Sequence, residues 1–476
     1  MPGRLLPAFA SCALALAAGS LPAAQANRIS ALAGPEVNVS NLPGPQSEPT
    51  IVVDPTNDQI LLAGSNSFAE GTMRAYSSTD GGVTWRATTA YPPPPRRELT
   101  CAGDPGVGID STGKEYFSFV RSTPCSTGRP RLYVIARAGS AALWGKPSLV
   151  APLRGARFDD KPTLAVDASR ASKYRNRVYV AWSRVSRNGV FSILLSHSDN
   201  GGRSWSRPVK VNRTGREESY ASIAVSRTGV VYVAWDDISG NSIKVAGSTD
   251  GGAHFGAEQR VAVYHVVPIP HCRSGFVIPA QGNTCVRPNP IVSVDTSRGR
   301  YAGRVYVTYA DGGFNKMRNG FSGRQTVYLV VFNSRLRPLL GYPVTNEGLP
   351  VDLPEGPDHP DQFWPASAVD AATGRLWVCF YDTRGDPQRQ SAFYSCTFSA
   401  DGGKTFARHV HAASVASDET QHGADGREYG DYQGLAVANG VAHPIWTDSR
   451  DLPALGEEIY TTSLYEADLR PPAPSG

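Results

Sequence analysis

The stretch "SSTDGGVTW" at residues 77–85 returns as "SDNGGRSW" at 198–205, "STDGGAHF" at 248–255 and "SADGGKTF" at 399–406. A serine, an acid or amide, paired glycines and an aromatic recur in one order. Such a string is either a loop that holds a ligand or a turn that the fold repeats for its own reasons. The chemistry favours the turn. Gly82 suits a backbone position with positive φ, and Ser78 and Asp80 can bond the turn's own amides. Trp85 supplies apolar area to pin the hairpin. In the second copy Asn200 stands where the others carry aspartate. It still accepts a hydrogen bond but brings no charge, a loss that a ligand-binding carboxylate would tolerate poorly.

Outward from these strings, a short apolar run recurs seven times: "EPTIVVD" (48–54), "DPGVGID" (104–110), "KPTLAVD" (161–167), "YASIAVS" (220–226), "NPIVSVD" (289–295), "WPASAVD" (364–370) and "YQGLAVA" (432–438). Their last residues are 56, 57, 59, 69, 75 and 68 apart. A second apolar strand follows each run, clearest in "RVYVAWSR" (177–184), "VVYVAWDD" (230–237), "RVYVTYAD" (304–311) and "RLWVCFYD" (375–382). A third strand leads into the turn string, which units two, five and seven have lost. Seven four-stranded units predict an all-β fold, a β-propeller of seven blades, with six the alternative. No blade of such a ring is stable alone. The stretch "PEVNVSNL" (35–42) is expected to close the ring beside "EIYTTSLY" (458–465).

The pattern S-x-D-x-G-x-S/T-W/F resembles the Asp-box, or BNR repeat, of the sialidase (neuraminidase) superfamily, and the repeat covers nearly the whole chain after residue 26. The resemblance implies an Asp-box propeller that acts on or binds glycans at its central mouth, as an exo-glycosidase of sialidase type. The alternative is a non-catalytic glycan- or protein-binding scaffold. Sialidases use three arginines for the sugar carboxylate, a tyrosine nucleophile assisted by a glutamate, and an aspartate acid/base. By that resemblance Asp104 is the candidate acid/base, Glu217 or Glu218 the glutamate, Tyr432 the nucleophile and Arg287 a carboxylate arginine. The family's R-I-P arginine is missing, and Glu48 stands in its place.

Topology supplies the rest of the candidate site. First strands line the channel and second strands return to the face where the first began, so two rings of residues should meet at one mouth. The first ring is Glu48, Asp104, Lys161, Tyr220, Asn289, Trp364 and Tyr432. The second is Asn66, Arg121, Arg184, Asp237, Asp311, Asp382 and Asp448, with Arg384 and Arg450 beside it. Of these, Glu48, Lys161, Tyr220, Trp364, Asp382, Arg384, Asp448 and Arg450 join Arg287 as candidate substrate-binding residues. Aromatic rings stack on sugar C–H faces, and acids and arginines bond hydroxyls. Two carboxyls at a suitable spacing could hydrolyse a glycoside.

The remaining bounds are simpler. The 476-residue chain carries a net charge of +5 without a basic cluster, which excludes a nucleic-acid partner. Residues 1–26 look like a secretory signal cut after Ala26, leaving 27–476 as one domain that is secreted or periplasmic and expected to be a monomer. No later run approaches a membrane-spanning length. Of seven cysteines, Cys12 lies in the signal. The other six suggest local disulfides Cys101–Cys125, Cys272–Cys285 and Cys379–Cys396. No cofactor and no metal ligands are predicted, although Ca²⁺ at the acidic rim is conceivable. The histidines of "HVH" (409–411) read as a solvated strand.

Overall fold

The computed structural model describes residues 31–68, 70–91, 101–125, 128–213, 215–264, 275–281, 285–312, 314–315, 320–321, 324–341, 349–352, 360–420, 429–451 and 456–466. Residues 1–26, read above as a secretory signal, and Cys272 lie outside the described residues. Seven antiparallel sheets follow one another along the chain as seven blades. Their innermost strands are Gln46–Asp54, Cys101–Ile109, Ala156–Val166, Glu218–Val225, Ile291–Val294, Gln362–Val369 and Gly434–Ala438. Each inner strand pairs with the next strand of its own blade, so blades meet mainly through side chains, with a few backbone bonds between neighbours such as Asp159 N–H to Pro130 O at 3.0 Å. The core divides accordingly into seven apolar clusters, each between two successive blades. Trp182, Trp235, Trp377 and Trp446 on the second strands are fully buried there.

The ring closes as the sequence predicts. Val37–Asn38 pairs with Glu458–Thr461, placing Val37 opposite Thr461 and Asn38 opposite Tyr460. A further pairing, Ala31–Ala33 with Leu464–Glu466, reinforces the seam. In unit seven, which lacks the turn string, the final strand Leu464–Glu466 is part of the closure. The aspartates that end five of the inner strands are buried and cap the following turn. Asp54, Asp110, Asp167, Asp295 and Asp370 each accept from the backbone N–H two residues on, at 2.7–3.2 Å. That local need explains why "VD" and "ID" recur.

The four turn strings share one hydrogen-bond scheme. The serine hydroxyl donates to the acid or amide oxygen at 2.8–3.0 Å and accepts from the second glycine N–H at 2.9 Å. The same oxygen accepts from the backbone N–H four residues on, at 2.9 Å in every copy, Asn200 included. Both glycines have positive φ in all four. Their position, not only their geometry, is repeated: an added Cβ on Gly202, Gly252 and Gly403 would meet Tyr116, Tyr179 and Tyr306 of the preceding blade, and one on Gly82 would meet His443 of blade 7. In three copies a cation of that preceding blade donates to the first glycine's carbonyl: Lys114 to Gly201, Arg177 to Gly251 and Arg304 to Gly402. The string is therefore a clamp between blades. Gly403→Ala tests this directly. Its φ is +88°, and a Cβ would lie 2.9 Å from Leu329 Cδ2. The expected loss is about 1–3 kcal/mol in a denaturant titration; an unchanged midpoint would mean the clamp carries no strain.

Two disulfides stand in the described chain, Cys101–Cys125 and Cys379–Cys396, the second directly across paired strands of blade 6.

Candidate functional site at the channel mouth

Every inner strand from blade 1 to blade 6 enters the channel through the same irregularity. Glu48, Asp104, Lys161, Tyr220, Asn289 and Trp364 all have positive φ, between 44° and 59°. In blades 1, 2, 3, 4 and 6 the inner strand advances three residues while its partner advances two, so one extra residue is inserted at that point. Positive φ is costly for residues other than glycine and asparagine. Here it is imposed on a glutamate, a lysine and two aromatics, because the bulge belongs to the fold. Tyr432, the seventh member by alignment, does not share the positive φ.

The mouth has two unlike arcs. Across blades 7, 1, 2 and 3 runs a closed circuit of hydrogen bonds. Asn66 Nδ2 donates to Glu48 Oε2 at 2.7 Å, and Asn66 Oδ1 accepts from the Asp104 N–H at 3.1 Å. Asp104 Oδ2 accepts from the Lys161 N–H at 3.1 Å, the Lys161 ammonium pairs with Asp431 Oδ2, and the Asp431 N–H returns to Glu48 Oε1 at 3.1 Å. The other arc is aromatic. The Lys161 ammonium lies 4.7 Å from the centroid of Tyr220, whose ring stacks at 22° on Trp364 with centroids 6.5 Å apart. Tyr220 is half-buried, whereas Trp364 is fully buried beneath it, so of this stacked pair only Tyr220 presents aromatic surface. Below the rim is a cavity of about 140 Å³ bounded by Lys161, Tyr220, Asn289 and Tyr432, and below that an axial cavity of about 420 Å³ touched by all seven blades.

One lysine faces several acids, and the proton balance follows. Burial raises the Glu48 carboxyl above its ordinary range, opposed by Lys161 and helped by Asp431. Burial and then the neighbouring Asp160 push the Asp104 carboxyl well above its ordinary range. Lys161 is raised despite its burial, because Asp431, Glu48 and Asp104 favour its charge. Burial and the nearby acids also lift the Tyr432 phenol, which stays protonated. Three buried polar groups of this rim take no hydrogen bond among the described residues: Asn289 Nδ2, Trp364 Nε1 and Tyr432 OH.

Other candidates lie elsewhere. Glu218 is fully buried and faces Lys244, Asp237 and the third strand of blade 4; burial and then Asp237 lift it to about 8. Glu217 is exposed and serves through its carbonyl, which accepts from the Ile238 N–H at 2.9 Å. The acids around Tyr432 are Glu48, Asp104, Asp431 and Asp160, so the structure does not pair this tyrosine with either glutamate. Arg287 acts electrostatically on Tyr220, Asp236 and Tyr264. The arginines of blades 6 and 7 are engaged toward the outer strands. Arg450 bonds Asp448 at 2.7 Å and Glu36 at 2.5 Å, and Arg384 bonds Asp352 at 2.8 Å and lies 3.2 Å from Asp382. A guanidinium beside a buried carboxylate at a strand end finds a stronger partner there than in open water. His409 is not on a solvated strand: its Nδ1 is 3.1 Å from Asp352 and its side chain is 13% exposed. Asp352, Asp382 and His409 together form a group whose ligand atoms could hold a metal ion. Sequence reading missed Asp352, which sits in an irregular stretch without a repeat to mark it.

No protein-family model matches the sequence, and no curated protein is similar to it. Among solved structures the fold is similar to a protein of unknown function from Dyadobacter fermentans, at 13% identity and a TM-score of 0.48, over 92% of this chain and 99% of that one. It is also similar to a Hadza microbial sialidase, at 13% identity and TM-score 0.46, over 90% of this chain and 66% of that one. For Trypanosoma rangeli sialidase the values are 14% and 0.45, over 77% and 60%. The chain thus spans under two thirds of the length of these two sialidases. These likenesses concern the fold. The chain itself is a seven-bladed propeller, with clamping hairpins at one face and a bulged, half-polar and half-aromatic rim at the other.

Proposed function

We propose that the protein binds the neutral end of a glycan at the channel mouth. The observation that carries this reading is the pair of unpartnered groups, Asn289 Nδ2 and Tyr432 OH, on residues that border the cavity under the rim. Buried polar groups in a folded protein are normally satisfied, and a polyhydroxylated ligand supplies both donors and acceptors. A sugar also has a polar edge and an apolar face, which match the carboxylate arc and Tyr220. The charge of the rim argues against an acidic sugar. Its lysine is already paired with Asp431, and Glu48 stands where a sugar carboxylate would need an arginine. A second reading, glycoside hydrolysis, is favoured by Asp104 alone: a carboxyl that burial and a neighbouring acid push well above its ordinary range is the usual arrangement of a general acid. The disulfides support a location outside the cytoplasm.

The test is a glycan array followed by turnover assays on neutral and acidic aryl glycosides. Binding of neutral glycans that Tyr220→Ala weakens about tenfold supports the mouth as the site. Turnover abolished by Asp104→Asn adds hydrolysis, and turnover untouched by it removes the catalytic reading. Absence of binding to any glycan overturns the proposal.

A further inference from the structure

We propose that Asp352, Asp382 and His409 form a divalent transition-metal site joining blades 5 and 6, with Arg384 as an internal cation that competes for it. The three ligand atoms lie within 4.8 Å of one another. His409 Nδ1 and Asp352 Oδ2 are 3.1 Å apart, near the roughly 3.4 Å edge of a tetrahedral shell with 2.0–2.1 Å bonds. Asp382 ends the second strand of blade 6 and is fully buried. Its Oδ1 is occupied by the Arg384 N–H at 2.8 Å, but its Oδ2 points into the group and takes no hydrogen bond. Asp352 belongs to the segment that pairs with blade 5, through Val351 N–H to Val327 O at 2.9 Å. Its carbonyl accepts from Gln362 Nε2 at 3.0 Å, which fixes its backbone against blade 6.

Arg384 reads as the stand-in for the ion. Its Nη2 reaches Asp352 at 2.8 Å and Asp382 at 3.2 Å, and its Nη1 lies 2.6 Å from His409 Nδ1. One positive charge therefore meets all three candidate ligands. Arg384 is 28% exposed and borders a cavity of about 290 Å³, so its head has somewhere to go when an ion enters. Two carboxylates and an imidazole suit Zn²⁺ or Mn²⁺ better than Ca²⁺, which prefers oxygen throughout. A bound ion would fasten Asp352 of one blade to Asp382 and His409 of the next.

The full chain, freed of metal by a chelator, is titrated calorimetrically with Zn²⁺, Mn²⁺ and Ca²⁺. The expected result is one equivalent of Zn²⁺ or Mn²⁺ bound, with Ca²⁺ at least about tenfold weaker. Asp382→Asn should abolish the binding, and His409→Gln serves as the second ligand variant should the asparagine chain fold poorly. Arg384→Ala should tighten it about tenfold or more by removing the competing charge. No ion bound to either the native or the Arg384→Ala chain overturns the site. Binding that survives both ligand substitutions places the ion elsewhere and also overturns it. Weaker binding by Arg384→Ala overturns the role given to the arginine.

Discussion

Lys161→Met is expected to destabilise the protein by roughly 3–5 kcal/mol at pH 7.5, and by much less at pH 5. Methionine keeps the length and apolar stem of the side chain while removing the ammonium. What remains is Glu48, Asp104 and Asp431 without a cation, Glu48 joined to Asp104 through Asn66 and to Asp431 through its backbone N–H. At low pH the orphaned carboxyls take up protons and the repulsion fades, so acid restores stability. Urea titrations at both pH values measure the difference. An equal loss at the two would show that Lys161 acts through packing on Tyr220. Pairing the substitution with Asp431→Asn should recover part of the loss, because it removes the partner as well.

The second large effect is a pH dependence of the whole fold. Burial, the leading cause in each case, lifts Glu218 to about 8, Asp236 to about 7 and Glu458 to about 7. All three are protonated in the native state at pH 5–6, where their unfolded counterparts are ionised. The folded chain then holds more protons, so stability falls as pH rises through this range toward 8. His443 works in the opposite sense. Its burial lowers it to about 4, so it folds neutral and its contribution is lost as pH falls below about 6.5. His197 and His411 are lowered by burial in the same sense, but Asp104 and Glu419 are raised well up beside the three carboxyls, and thermal melts should give a higher Tm near pH 5 than at pH 8. A Tm that rises over that interval would mean that these carboxyls are ionised in the folded protein.

How much of this was legible in the sequence depended on how local its cause was. The turn strings, the seven units and the closing strand at Val37–Asn38 follow from hydrogen bonds and apolar spacing within a few residues, and they read directly. The rim positions were also legible, since one alignment located Glu48, Asp104, Lys161, Tyr220, Asn289 and Trp364. The pairings were not. Whether Arg450 turns to the mouth or to Glu36 depends on a residue 414 positions away. The Lys161–Asp431 pair spans 270 positions, and no periodicity encodes it. Nor could spacing say that Trp364 would lie fully buried beneath Tyr220. Topology brings positions together; burial and charge then decide which atoms meet.

The bulge shared by the inner strands has one more consequence. Glutamate, aspartate, lysine, tyrosine, asparagine and tryptophan occupy the same backbone angle within 15° of one another. Such a rim behaves as a row of interchangeable sockets, in which the backbone sets the direction and leaves the chemistry free. Recognition can then be rewritten one blade at a time without redesigning the ring that carries it.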